Sequence, residues 1–109
     1  LALMASGMNG QTFTFHGYLP NKKPELSKEL NTIVKKISKH HSSEIFIETP
    51  YRNEALFTSL IRECPSNLSL CIAADITGSK EYIKTQSISM WKKSKFPFKE
   101  KIPAIFILG

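Results

Sequence analysis

The sequence has few cysteines and no long apolar run. Its two cysteines, Cys64 and Cys71, form no Cys-x-x-Cys pair and no zinc-binding set, so we expect no metal site. Cys64 ends a predicted helix and Cys71 lies inside an apolar strand. We therefore expect both to be packed, reduced thiols, which favours a cytoplasmic protein. No apolar stretch approaches the roughly 20 residues that a membrane-spanning helix needs, so no membrane partner is expected. No basic-then-apolar leader indicates secretion.

Acidic residues are outnumbered. The 109 residues include 9 Asp and Glu against 15 Lys and Arg, which gives a formal net charge of +6. This excess favours an anionic partner such as RNA. The alternative is a solvated surface, because many of the lysines fall where a helix must show polar residues to water in any case.

The apolar residues alternate between strand-like and helix-like patterns. They make up 41% of the chain and include seven Phe, which is enough for the core of one domain. The pattern predicts an α/β fold, a single domain with a mainly parallel mixed sheet of about five strands flanked by helices, whose final segments can return antiparallel. The predicted strands are 12–19, 44–48, 68–74, 82–89 and 102–108. The predicted helices run from Pro24 to Lys39, from an Asn53 cap to Cys64, and briefly from Met90, with a basic loop at 92–101.

The first residues differ from the rest of the chain. The segment from Leu1 to Met8 is apolar and Gly7 suits a helix C-cap. We expect residues 1–11 to be the end of a helix and a linker from a missing N-terminal domain, and residues 12–109 to be a C-terminal domain.

Three short blocks occur in fixed order and spacing. Residues 15–20 read Phe-His-Gly-Tyr-Leu-Pro, residues 45–52 read Ile-Phe-Ile-Glu-Thr-Pro-Tyr-Arg, and residues 102–109 read Ile-Pro-Ala-Ile-Phe-Ile-Leu-Gly. Each block is predicted to be a strand that ends, or begins, at a loop. Together they resemble the C-terminal half of the tetrapyrrole (corrin/porphyrin) methylase superfamily, the class III S-adenosylmethionine-dependent methyltransferases. The nearest branch is that of the bacterial ribosomal RNA ribose 2'-O-methyltransferases.

The resemblance implies a cofactor and a set of contacts. S-adenosylmethionine would lie between two domains, with the glycine-rich loop supplied by the N-terminal one, so the present chain alone should be inactive. This chain would hold the adenosine through backbone groups at strand ends, which by position are Glu48, Thr49, Ile76, Thr77, Pro103 and Ala104. The alternative is that these residues are ordinary ends of strands with no part in cofactor binding. The resemblance also implies a homodimer. Met90, Trp91, Phe96 and Phe98 offer an apolar surface for it, or else pack on their own core.

The basic residues beside the first two blocks are candidates for binding the methyl acceptor. Lys22, Lys23 and Arg52 could contact phosphate, Arg as a planar fork and Lys as a point charge. Glu48 is expected to pair with Arg52, four residues on, more than to act as a base. His16 is expected to be packed and hydrogen-bonded. The residues suggest no general base.

The chain departs from the nearest branch at two places. That branch carries Arg-Glu-Leu-Thr-Lys after its third strand, where this chain has Ala74-Asp75-Ile76-Thr77 and a displaced Lys80. Its Pro-His-Arg is here Pro50-Tyr51-Arg52. The acceptor therefore stays open between ribosomal RNA and a corrin or porphyrin intermediate. A degenerate, non-catalytic α/β binding module is a third reading.

Overall fold

The computed structural model describes residues 1–8, 10–98 and 101–109. It follows the predicted alternation of strands and helices closely. In chain order the elements are α1 (Ala2–Ser6), β1 (Phe13–Tyr18), α2 (Lys23–His40), β2 (Ser43–Glu48), α3 (Asn53–Glu63), β3 (Ser69–Ala74), β4 (Tyr82–Ser87), α4 (Ile88–Trp91) and β5 (Ala104–Leu108). Residues 99 and 100 of the expected basic loop, and residue 9 of the expected N-terminal segment, lie outside the described residues.

The five strands form one mixed sheet in the order β1-β2-β5-β3-β4. β1 and β2 are parallel, whereas β2 with β5, β5 with β3, and β3 with β4 are antiparallel. The prediction of a mainly parallel sheet is therefore wrong, although the α/β class and the five strands are confirmed. The reason is the position of β5. It lies between β2 and β3 and runs against both, so β1, β2 and β3 share one direction while β2 and β3 are not neighbours.

One face of the sheet packs against α2, α3 and α4. In α2 the apolar side chains recur every three or four residues, and Leu26, Leu30, Ile33 and Ile37 are buried as that spacing predicts. They cover a core in which the Phe46 and Phe106 rings stack at 6.0 Å between centroids. Helix α2 ends in a left-handed residue, His41, whose backbone N–H donates to the carbonyl of Ile37.

Asn53 does not cap α3 as the sequence suggests. Arg52 occupies the N-cap position, and Asn53 is the first helical residue, buried to 2% exposure. Its amide Nδ2 donates to the carbonyl oxygen of Ile102 at 2.5 Å. The capping prediction is wrong because the side chain is turned inward, where it ties the start of α3 to the segment that enters β5.

The other face of the sheet is partly covered by α1. The expected helix end is confirmed, with Gly7 as a left-handed C-cap at a φ of 74°. Ala2 packs with Cys71, Ala73 and Ile107. Whether residues 1–11 come from an N-terminal domain stays a prediction.

Three of the four aromatic or sulfur side chains considered for a dimer surface pack on the chain's own core. Trp91 is buried and its Nε1 donates to the carbonyl of Leu70 at 2.8 Å, while Phe96 and Phe98 lie against the core and Met90 is exposed. The large exposed aromatic side chains of the sheet lie instead on β1 and are Phe13, Phe15 and Tyr18. Among the residues that the structure describes, no helix combines the length and apolarity that a bilayer crossing requires.

Both cysteines are free and buried, as predicted. Burial raises the pKa of the Cys64 thiol to about 12, and the nearby charge of Glu63 adds to the rise. Burial also raises the pKa of Cys71. Both thiols are therefore packed, protonated groups rather than nucleophiles.

Candidate functional site

A cleft lies at the edge of the sheet where β2 and β3 end and β5 begins. The strand register places Glu48 opposite Ala104, and Ala73 opposite Ile105. The cleft has a volume of about 370 Å³ and its walls include Tyr18 at the end of β1. Five of the six residues that the sequence proposed for cofactor contact line it, namely Glu48, Thr49, Ile76, Pro103 and Ala104. The parallel directions of β2 and β3 bring their ends to this one edge, and the reversed β5 starts there.

Thr77, the sixth proposed residue, does not line the cleft. It lies in the exposed loop after β3, in the left-handed conformation with a φ of 66°, which is rare for a β-branched residue. Its backbone N–H donates to Oε1 of Glu81 at 2.7 Å. The neighbouring carboxylate of Asp75 accepts from the backbone N–H of Lys80 at 2.8 Å. Two acidic side chains thus hold this loop in its strained shape.

Asp75 belongs to the cleft wall, although in the sequence it stood out only as a departure from the family pattern. It is left-handed with a φ of 49°, and Gly78 packs against it so closely that an added Cβ would lie 2.1 Å from Oδ1. The signal that could have marked this position was the Asp-x-x-Gly spacing of a tight turn directly after a buried strand.

Glu48 is buried at the end of β2 and its two oxygens have different partners. Oε1 accepts from the backbone N–H of Thr49 at 2.7 Å, and Oε2 lies 3.5 Å from Nε of Arg52. The predicted Glu48–Arg52 pair is confirmed. The Thr49 carbonyl also accepts from the N–H of Arg52 at 3.0 Å. The backbone N–H of Thr49 is therefore already hydrogen-bonded within this turn. Thr49 contributes to the cleft through its position on the wall and does not offer a free N–H donor there.

A second cavity, the basic groove, adjoins the cleft between the start of α2 and the outer side of α3. It has a volume of about 310 Å³ and carries three cationic side chains, Lys23, Arg52 and Arg62. Lys23 and Arg52 were proposed from the sequence for phosphate contact. Lys22 is exposed beside the groove at the N-cap of α2 but does not line it.

Arg62 was not predicted from the sequence. It follows Ala55 and Ser59 at helical spacing on the groove-facing side of α3, and that periodicity could have identified it. Its Nη2 lies 3.5 Å from the carboxylate of Glu63, an exposed contact of small energetic weight.

A separate charged cluster lies near the opposite edge of the sheet. Glu44, at the start of β2, is fully buried, and its Oε1 lies 2.7 Å from Nε2 of His16 and 3.4 Å from Nζ of Lys36. Lys36 also donates to the hydroxyl of Thr14. The prediction that His16 is packed and hydrogen-bonded is confirmed. Because strand β2 separates Glu44 from Glu48, this cluster has no part in the cleft.

No metal-binding arrangement is formed by the described ranges 1–8, 10–98 and 101–109. Within them, no group of three or more His, Cys, Asp or Glu side chains could hold an ion. The groups available at this edge of the sheet are therefore the apolar walls of the cleft, the buried carboxylate of Glu48 and the cationic side chains of the basic groove.

Comparison with known proteins adds the family. No family model matches the sequence. Two curated relatives do, both named ribosomal RNA small subunit methyltransferase I. The protein from Buchnera aphidicola subsp. Schizaphis graminum is 34% identical over 95 residues, or 84% of this chain. The protein from Buchnera aphidicola subsp. Baizongia pistaciae is 28% identical over an alignment of 111 positions that covers 99% of this chain. Among solved structures, the methyltransferase CobJ matches 99% of this chain with a TM-score of 0.58.

The curated relatives and the CobJ fold together support the tetrapyrrole methylase superfamily. The chain corresponds to the C-terminal domain of that superfamily, as the three sequence blocks predicted. The chain spans about a third of the length of the two curated relatives, 32% and 37%, and 45% of the CobJ chain. At 15% identity, the likeness to CobJ supports the fold. The cleft and the basic groove therefore lie on the part that corresponds to the C-terminal domain of tetrapyrrole methylases.

Proposed function

We propose that this chain is the C-terminal domain of an S-adenosylmethionine-dependent methyltransferase that acts on ribosomal RNA. The observation that carries the proposal is the edge of the sheet, where a cleft lined by five of the six expected cofactor residues opens beside a basic groove. The rest of the enzyme, including a glycine-rich loop on an N-terminal domain, would close the cleft from the other side.

The residues of the cleft fit the adenosine part of the cofactor. Ala73, Ile76 and Ala104 offer small or flat apolar surfaces on the cleft wall, and Ala104 is almost fully buried. Such walls suit a planar base, with a few polar groups to fix its orientation. When bound, the cofactor supplies a methyl group on a sulfonium, and the protein chiefly positions donor and acceptor. Glu48 holds Thr49 and Arg52, so in this proposal it orients groups and is not the general base.

The basic groove fits the phosphate backbone of an RNA acceptor. Lys23, Arg52 and Arg62 line it, with the exposed Lys22 beside it, on a chain of net charge +6. Both curated relatives are named as ribosomal RNA methyltransferases, which favours RNA over a tetrapyrrole as the acceptor. We place a ribose hydroxyl of that RNA at the boundary between the groove and the cleft, because the methyl group must reach it there.

The intact protein is proposed to be a cytoplasmic homodimer. Phe13, Phe15 and Tyr18 expose aromatic rings on β1, whereas α1 packs mainly on β3, β4 and β5. Exposed apolar surface of this kind is typical of a protein interface. Free, buried thiols at Cys64 and Cys71 suit a reducing compartment. Light scattering of the full-length protein at micromolar concentration should give twice the monomer mass.

The test of function uses the full-length protein. Calorimetry should detect S-adenosylhomocysteine, and tritium from the methyl-labelled cofactor should enter unmethylated small-subunit ribosomal RNA. Lys23→Ala and Arg62→Ala should weaken RNA binding and each lower the salt slope by about 1, as expected for one phosphate contact. Lys39→Ala is the matched control, because it removes the same charge at the far end of α2.

Two results would redirect the proposal. Methylation of a tetrapyrrole but not of RNA would make the acceptor a corrin or porphyrin intermediate. A full-length protein that binds no S-adenosylhomocysteine would be a non-catalytic α/β module.

A further inference from the structure

Glu48 is shared by the two cavities at the edge of the sheet. The residue lines both the cleft and the basic groove, and it is almost fully buried. One residue therefore forms part of the partition between the region assigned to the cofactor and the region assigned to the acceptor.

The two oxygens of the Glu48 carboxylate act on opposite sides of the partition. Oε1 accepts the Thr49 N–H at 2.7 Å and so fixes the first residue of the turn that rims the cleft. Oε2 faces Nε of Arg52, a groove residue, at 3.5 Å. Arg52 also donates from Nη2 to the carbonyl of Asn21 at 3.4 Å, on the loop between β1 and α2. The guanidinium thus has one edge directed to Glu48 and Asn21, and the rest of its fork remains for the groove.

We propose that Glu48 is a positioning residue that aims the Arg52 guanidinium at the RNA acceptor while it holds the rim of the cofactor cleft. The inference rests on the proposed function, since it needs both a cofactor and an RNA. The pair itself contributes little stability, because Arg52 is 42% exposed and solvent screens the interaction. Its value lies in orientation, because a bidentate phosphate contact needs the fork in one plane and direction.

Glu48→Gln separates the two tasks. The Gln carbonyl can still accept the Thr49 N–H, but its NH₂ group then faces the N–H donors of Arg52, and two donors repel the guanidinium from its position. We expect the Kd for small-subunit ribosomal RNA to rise about tenfold, the order of one lost charge-assisted contact. S-adenosylhomocysteine affinity should stay within about twofold, because the rim is preserved. Glu48→Ala should weaken both ligands.

A matched charge control predicts the opposite direction of change in RNA affinity. Glu54→Gln removes the same negative charge from the first turn of α3, where Glu54 is exposed and lines neither cavity. Loss of a negative charge near a polyanion site by itself tightens RNA binding, so Glu54→Gln should bind equally or slightly more tightly. Glu48→Gln should bind more weakly in spite of the same change in net charge.

The double variant Glu48→Gln/Arg52→Ala completes the experiment on the full-length protein, with circular dichroism to verify folding. If Glu48 acts through Arg52, Glu48→Gln should change RNA affinity by less than about twofold in the Arg52→Ala background. Tighter binding by Glu48→Gln, or an equal loss in both backgrounds, would overturn the inference alone. If the wild-type protein binds neither S-adenosylhomocysteine nor RNA, the proposed function fails and the inference with it.

Discussion

Removing the side-chain amide of Asn53 should destabilise the segment that leads into the Pro103–Ala104 wall of the cleft. Asn53 is buried, and its Nδ2 donates to the carbonyl of Ile102, the residue before Pro103 and Ala104 on the cleft wall. Asn53→Ala leaves that carbonyl without this donor, which costs about 1–3 kcal/mol for a buried group. The Oδ1 atom is itself buried without a hydrogen-bond partner, so its removal offsets part of the loss. The expected net destabilisation is about 1–2 kcal/mol.

Thermal unfolding followed by circular dichroism measures this effect. For a chain of this size, such a loss corresponds to a fall in Tm of about 4–9 °C. Asn53→Asp is the more demanding variant, because it has the same shape but places a carboxylate oxygen against the Ile102 carbonyl. It should lower the Tm further than Asn53→Ala at neutral pH. Asn31→Ala, on the exposed face of α2, is the control and should leave the Tm unchanged or slightly raised.

The same variant should affect ligand binding in the full-length protein. Because Ile102 precedes the two cleft residues, Asn53→Ala should weaken S-adenosylhomocysteine binding by about threefold to tenfold, the size of one lost constraint. An Asn53→Asp protein as stable as the wild type would refute the reasoning, since the donor role of Nδ2 would then be irrelevant.

Three further predictions concern the cleft, the isolated chain and the thiols. In the full-length protein, Ala104→Trp should abolish detectable S-adenosylhomocysteine binding in calorimetry while the circular dichroism spectrum is retained, because the indole would fill the cleft; normal binding would contradict the assigned cofactor position. The 109-residue chain alone should bind S-adenosylhomocysteine poorly and show no methyl transfer, because a cleft with one wall leaves the ligand in water; tight stoichiometric binding would contradict this. Cys64 should resist iodoacetamide at pH 8 in the folded chain and react on unfolding. Since burial raises its pKa from 9.0 to about 12, its protonated form stabilises the fold below pH 9, and that contribution is lost as the pH rises towards 12.

The local elements could be predicted from the sequence because they depend on near neighbours. The helical spacing of Leu26, Leu30 and Ile33 predicted α2 and its buried face, and the short apolar run before Glu48 predicted β2. The neighbours of each strand could not be predicted in the same way. β5 is apolar throughout and would fit the centre or the side of a sheet equally well, so its insertion between β2 and β3 depends on long-range packing.

In the candidate site, too, contacts between residues close in sequence were predictable and contacts between distant residues were not. The Glu48–Arg52 pair follows from a short separation in sequence, and it was predicted correctly. The contact between Asn53 and Ile102 joins residues far apart in the chain, so Asn53 could only be interpreted locally, as a cap. Thr77 was assigned by position after a strand, and the backbone turn at Asp75 directs it away from the cleft.

The place of β5 also bears on how the chain is made. Strands β2 and β3 are synthesised well before β5, yet each pairs with β5 and not with the other. While the ribosome is still adding β4 and α4, both strands carry open apolar edges for which the partner does not yet exist. The five-stranded sheet can form only after β5 has emerged, so this domain must complete its folding late. Until then, the unpaired edges of β2 and β3 are the part of the nascent chain most exposed to wrong strand pairing.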